Sequence, residues 1–379
     1  GLEGLMNHPE MAGRLSILPD FSDWSTVLMI FIIPLAVQWW SVWYPGAEPG
    51  GGGYIAQRML AAKDEKNSVL ATLWFNVAHY AIRPWPWVIV GLCSVLVYPT
   101  FDSIQEAFPG IDPSIIGHDL AYPAMLVFLP SGLLGLVVAS LAAAYMSTIS
   151  THLNWGASYI VDDFYRRFVR RGASDAHYVL VARISTVALI VLAGLLSLWL
   201  ENALQAFQIL LQIGAGTGLI FLLRWFWWRI NAWSEITAMV VSFLVAIYFQ
   251  FVHQAIGLEP FHGSLNLVIG VAITTTAWLT VTYLTPPASE ARLRDFYEQI
   301  RPIGPGWKKV VGDQVADPNE SAGAAFACWF AGVGAVYCTL FGTGYFLYGY
   351  PLWGAVFFTL AVVLAGIILR LLPRVGVRG

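Results

Sequence analysis

Long apolar runs separated by short polar connections dominate this chain. They lie at about 24–44, 68–98, 129–161, 184–200, 203–223, 235–252, 265–284, 324–346 and 351–372. A bilayer core takes about 20 apolar residues in helical form, so the pattern predicts nine transmembrane helices. Barrel strands would be short and alternating, and no such alternation occurs here. The expected fold class is all-α integral membrane protein, as a single transmembrane domain over 1–379. Its longest connection, 285–322, opens with an amphipathic stretch (289–300) followed by Arg301-Pro302-Ile303-Gly304-Pro305-Gly306-Trp307. This reads as a surface helix and then a turn-rich segment. Residues 122–128, ahead of Leu129-Pro130, read as a short external helix packed as a lid.

Composition sharpens the picture. Only 11% of the 379 residues are charged, against about 25% in soluble domains, so lipid is the main solvent. The 17 Trp residues suit helix ends at headgroup level. Basic residues then set the orientation: 18 of the 20 Lys and Arg fall in alternate connections, around Arg58–Lys66, Arg166–Arg183, Arg224–Arg229, Arg292–Lys309 and Arg370–Arg378. The loop at 99–121 carries four acids and no Lys or Arg. By the positive-inside rule, the N-terminus of the chain is expected outside and the 285–322 connection and C-terminus in the cytoplasm, across a plasma (inner) membrane. Residue 1 is Gly, and the first twenty residues lack a signal-peptide pattern, so the chain reads as truncated at its N-terminus. A net charge of −3 gives no reason to expect a nucleic-acid partner. Cys93, Cys328 and Cys338 all sit in apolar runs, as free buried thiols do.

Four places carry candidate chemistry. In 129–161, Ser140, Ala144, Ser147, Thr148, Thr151 and Ser158 recur at helical spacing and give one small, hydroxyl-rich face. Such a face either packs helices closely, with hydroxyls bonded back to their own carbonyls, or offers oxygens to a hard cation. Residues 45–53, Pro45-Gly46-Ala47-Glu48-Pro49-Gly50-Gly51-Gly52-Gly53, interrupt a helical pattern that resumes at Tyr54. Transporters place binding sites at broken helices, which would put Glu48 beside a cavity; otherwise it is a solvated acid in a flexible turn. In 68–98, Asn76, His79, Tyr80 and Arg83 approximate one polar face, for a solute or for a structural ion pair. Gln205, Gln208 and Gln212 precede Gly214-Ala215-Gly216-Thr217-Gly218, a run inside a membrane span that permits close packing or a kink rather than phosphate binding. No metal-ligand cluster, activated nucleophile or phosphate loop is visible, so no enzyme activity and no cofactor are expected.

The run Leu129-Pro130-Ser131-Gly132-Leu133-Leu134-Gly135, continuing through Ala142-Ala143-Ala144-Tyr145-Met146-Ser147-Thr148-Ile149-Ser150 to Asp162-Asp163-Phe164-Tyr165-Arg166, resembles the eighth core helix of the sodium:solute symporter family. Tyr54-Ile55-Ala56-Gln57-Arg58 resembles the end of its sixth core helix, and Phe221-Leu222-Leu223-Arg224-Trp225-Phe226-Trp227 the end of its tenth. The likeness covers about 20–250 well and the last spans loosely. It implies part of a five-plus-five inverted-repeat transporter fold lacking its first core helices. It also implies Na⁺, as coupling ion, at Ser147, Thr148 and the carbonyl of Ala144, an inner-gate role for Tyr54, and solute contacts near His79 and Gln208. The expected function is sodium-coupled symport of a small polar solute (sugar, amino acid or organic acid) by alternating access. A membrane sensory domain of the same fold, reporting solute occupancy, is the alternative. The run at 45–53 departs from the family, which has a shorter polar stretch there.

Overall fold

A computed structural model of the chain describes residues 1–40, 52–200, 203–259, 261, 263–302, 304–312 and 322–377. The described residues are helical, with no strand among them. We number the principal helices α1 (Trp24–Gln38), α2 (Gly52–Leu60), α3 (Glu65–Val97), α4 (Ser131–Val169), α5 (Asp175–Ser197), α6 (Ala203–Leu223), α7 (Ala232–Val252), α8 (Gly263–Leu284), α9 (Glu290–Ile300), α10 (Ala322–Leu347) and α11 (Pro351–Leu371). Among the described residues eight helices are long and apolar enough to cross a membrane, and α1 is a shorter apolar helix. The ninth predicted run, 24–44, is α1 plus residues that lie partly outside the described set.

Local sequence explains where these helices start. Asp64 caps α3 by accepting from the Asn67 amide at 2.7 Å, and that backbone hydrogen bond holds its carboxyl below the usual carboxylate range. Ser174 caps α5, and Asn231 forms a capping box with Ser234 ahead of α7. Thr100 and Ser103 form another at the short helix Phe101–Ala107. The short helix expected at 122–128 is found as Ala121–Met125 followed by a 3₁₀ turn, Leu126–Phe128; which side of the membrane it occupies is part of the orientation proposed below.

The chain divides into two compact units, one of residues 1–89 and 207–379, the other of residues 90–206. In the second unit α4 and α5 form a hairpin. Tyr178, 6% exposed, closes it by donating to the Arg170 carbonyl (2.9 Å) and accepting from the Ala173 amide (3.1 Å), while the Arg166 guanidinium lies over its ring. Leu136, Val138 and Tyr145 on α4 are more than half exposed, a surface suited to an apolar environment rather than water.

In the first unit α10 and α11 pack through small residues. A Cβ on Gly342 would meet Phe358 at 2.9 Å and one on Gly354 would meet Phe346 at 2.6 Å. The Phe357 ring stacks on Tyr345 and meets Phe341 edge-on. Lipid tails are as apolar as the side chains, so close van der Waals fit of this kind holds such helices together. Gly349 turns the chain between them at φ 81°, a conformation costly for any residue with a Cβ. Between α7 and α8, buried hydroxyls pair: Ser234 and Thr282 lie 2.6 Å apart, and Thr282 also bonds the Trp278 carbonyl.

The long connection is more ordered than its composition suggests. α9 is amphipathic, and Leu293 packs with Trp307 and Val310 in a small core that includes Trp228 and Phe296. Gly304 and Gly306 approach the Phe226 backbone so closely that a Cβ on either would collide with it. Trp307 donates its indole N–H to the Arg224 carbonyl at 3.1 Å. The connection is thus fastened to the C-terminal end of α6.

Candidate functional site

The hydroxyl-rich face lies on α4, which begins after Pro130 and runs as regular α-helix through Ser158. Regular helix places residues i, i+3 and i+4 on one face, so Ala144, Ser147 and Thr148 stand together, and all three are exposed. The hydroxyls of this face differ in their bonding. The Thr151 hydroxyl bonds back to the Ser147 carbonyl (2.8 Å) and the Ser158 hydroxyl to the Trp155 carbonyl (2.7 Å). These two hydroxyls are occupied within the helix. The hydroxyls of Ser147 and Thr148 make no hydrogen bond to any described residue. Each has free lone pairs, and a helical carbonyl such as that of Ala144 keeps a second lone pair beside its intrahelical bond. These three oxygens belong to residues within one turn of the helix. His152 Nδ1 lies 2.9 Å from the Thr148 carbonyl; a carbonyl only accepts, so that nitrogen carries the proton.

Beyond Ser158 the helix continues in π form, Tyr159–Val169. Asp162 pairs with Arg166 and Asp163 with Arg167, at 3.4 and 3.3 Å. The charges of the matching motif are thereby placed at the helix end, away from the hydroxyl pair.

The expected solute residues belong to the first unit. Tyr54 is on α2, with its side chain outside the described set, and Glu48 lies outside the described residues altogether. Gln208 is an exposed residue of α6. His79 lies in a π turn, Val77–Ile82, within α3. That turn divides the polar face expected from helical spacing. Asn76 and Tyr80 line a cavity, whereas His79 stacks on Phe75 (ring centroids 5.0 Å) and lies 2.8 Å from an Arg83 nitrogen through Nδ1. The His79 ring also meets Tyr80 edge-on, with centroids 4.7 Å apart. Arg83 only donates, so His79 Nδ1 accepts, and the proton of the neutral ring sits on Nε2. Arg83 also lies over Trp87, 4.9 Å from the ring centroid; its partners are an imidazole and an indole rather than an acid.

The glycine run on α6 is a packing device. A Cβ on Gly216 would lie 2.6 Å from the Ser242 Cβ and 3.0 Å from the Thr274 hydroxyl. On α8, a Cβ on Gly270 would overlap the amide of Gln212, whose nitrogen donates to the Asn266 carbonyl at 3.2 Å. Beside this packing, the Trp40 indole donates to the carbonyl of the fully buried Ala215 at 3.1 Å. This link joins residues 175 apart in sequence, and no local pattern signals it.

A cavity of about 780 Å³ lies between the start of α3 and the α10–α11 pair. Of the expected site residues whose side chains are described, Ala144, Ser147, Thr148, His79 and Gln208, none lines it. Among the described residues no group of three or more His, Cys, Asp or Glu could hold a metal ion.

Residues 24–242 match the model of the sodium:solute symporter family. The chain is 30% identical over 211 residues to a sodium/glucose cotransporter of Vibrio parahaemolyticus, covering 53% of this chain and 38% of the relative. It is 30% identical over 248 residues to an osmoregulated proline transporter of Bacillus subtilis (65% and 48%). It is 26% identical over 302 residues to the human sodium/myo-inositol cotransporter 2 (70% and 41%). The chain thus spans less than half the length of these relatives. No solved structure matches it significantly.

Proposed function

The chain belongs to the sodium:solute symporter family, and on that premise we propose that it forms part of a sodium-coupled symporter for a small polar organic solute. One observation carries the reading: Ala144, Ser147 and Thr148 share a turn of uninterrupted α-helix, and both hydroxyls are unbonded among the described residues. Sodium, a hard cation, takes oxygen ligands, and this turn supplies three; the remaining ligands come from another helix of the whole protein. The solute is held in the membrane by groups that include Tyr54, Gln208 and the Nε2–H of His79, which the Arg83 contact orients. Glu48, in the Gly- and Pro-rich run that precedes α2 in the sequence, completes this proposed set. The named solutes of the relatives, glucose, proline and myo-inositol, are all small and polar and support that class.

Sodium shifts the population of conformers toward the one open to the outside, solute binds there, and rocking of the helices releases both inward. In this orientation the loop at 99–121 is extracellular and the connection at 285–322 cytoplasmic. The test is counter-flow in proteoliposomes of the whole protein, with a panel of sugars, amino acids and organic acids. Exchange of one class that requires sodium is the expected result. Exchange that ignores sodium would overturn the coupling, and sodium-dependent binding with no exchange would favour the sensory alternative.

A further inference from the structure

The closed end of the α4–α5 hairpin carries a pocket that the sodium and solute assignments do not use. It has a volume of about 570 Å³ and is lined by Arg166, Arg167, Arg171, Phe168, Tyr178 and the turn between the helices. Three arginines and no acid line it. Local sequence fixes its frame. Gly172 turns the chain at φ 73°, a conformation costly for a residue with a Cβ. The buried Tyr178 holds that turn through the Arg170 carbonyl and the Ala173 amide, and the Arg166 guanidinium rests 4.2 Å from its ring centroid. Arg171 donates its Nε–H to the Arg167 carbonyl at 2.8 Å, and its terminal nitrogens bond no described residue.

The aspartates of this end do not neutralise it. Arg166 lies 3.4 Å from Asp162 and 3.9 Å from Asp175, and Arg167 lies 3.3 Å from Asp163. These distances exceed those of strong charge-assisted hydrogen bonds. Each guanidinium carries five N–H donors, so both arginines keep donors for a further anion. Arg170 and Arg171 form no ion pair with any described residue, and Arg183 stands two turns into α5. His177 is engaged with the Tyr165 hydroxyl at 3.0 Å. Five arginines thus stand against three aspartates, and the acids of the 99–121 loop precede the opposite end of α4.

Planar guanidinium groups match phosphate oxygens in charge and geometry, and the apolar neighbours identify the kind of phosphate. Phe168, itself a lining residue, is 75% exposed, and its ring centroid lies 5.9 Å from that of Phe164, which is 60% exposed. A soluble phosphate covers none of this surface. A phospholipid does, since its phosphate sits directly above its acyl region and the membrane-spanning helix α4 ends here.

We propose that this pocket binds the headgroup phosphate of an anionic phospholipid of the surrounding bilayer, held by Arg167 and Arg171, with Phe164 and Phe168 against its acyl region. Net charge selects the lipid, because neutral phosphatidylcholine offers the same phosphate and tails but carries its own ammonium. Each cation near the surface contributes about a five-fold preference for negative charge.

Native mass spectrometry of the whole protein, titrated with dioleoyl-phosphatidylglycerol or dioleoyl-phosphatidylcholine, tests this through the affinity for the first lipid bound. Phosphatidylglycerol should bind at least ten-fold more tightly. Arg167→Gln combined with Arg171→Gln should bring the two lipids within about three-fold of each other. Arg171→Gln alone, expected to reduce the preference about five-fold, serves if the double variant does not accumulate. Arg374→Gln, which removes an exposed cation just past the end of α11, should leave the preference at its parental value. Phe168→Ser should weaken both lipids and keep their ratio. Excess inorganic phosphate should not displace the lipid. Parental preference in the arginine variants, an equal loss in Arg374→Gln, unchanged binding of both lipids in Phe168→Ser, or displacement by inorganic phosphate would each overturn the proposal.

Discussion

The indole N–H of Trp40 donates to the carbonyl oxygen of Ala215 at 3.1 Å, tying the end of α1 to the glycine-lined turn of α6. Trp40→Phe keeps an aromatic ring but removes the donor, while the carbonyl keeps its helical bond. The expected loss is about 0.5–1.5 kcal/mol, a drop of a few degrees at most in the melting temperature of the purified protein. Trp40→Ala should lose more, since packing goes as well. Identical melting of both variants and the parent would show that the link contributes nothing.

The close approach of α6 to α7 and α8 gives a second expectation. Gly216→Ala and Gly270→Ala each force a Cβ into occupied space and should destabilise by about 1–3 kcal/mol. Gly194→Ala on α5, with nothing within 4 Å of its added Cβ, should be neutral or slightly stabilising, as alanine favours helix. Adding Gln212→Ala to Gly270→Ala should recover part of the loss, because it removes the group that the new Cβ overlaps. No recovery would place the strain elsewhere.

These residues also show how far the sequence could be read. The apolar runs located the spanning helices because lipid imposes one length and one backbone solution on each. Spacing alone placed Ala144, Ser147 and Thr148 on a common face, since α4 is regular there. It brought His79 beside Tyr80 and Arg83, but the π turn that spans 77–82 was not legible, because no residue type there marks it. Gly304 and Gly306 read as turn residues, and their use is to let one backbone touch another at Phe226. That partner is remote in sequence, as is Ala215 from Trp40.

Topology is open to a direct check. Asp112 and Glu298 are both exposed, in the acid-rich loop and on α9. In intact cells carrying the whole protein, Asp112→Cys should react with an impermeant thiol reagent. Glu298→Cys should react only after permeabilisation. Labelling of Glu298→Cys from outside would reverse the proposed orientation.

Sodium coupling at α4 is the central claim, and the sodium dependence of uptake tests it most directly. If Ser147 and Thr148 served only to pack helices, alanine would be accepted at both positions, being small and a good helix former. If they bind sodium, each replacement removes a ligand oxygen. Loss of one charge-assisted contact costs about 1.5–3 kcal/mol, which is about ten- to hundred-fold in ion affinity. In the whole protein, reconstituted at equal density, Ser147→Ala and Thr148→Ala should each raise the sodium concentration for half-maximal uptake by at least ten-fold, with the amount of protein unchanged. Wild-type sodium dependence in both variants, or parental uptake that ignores sodium, would contradict the assignment.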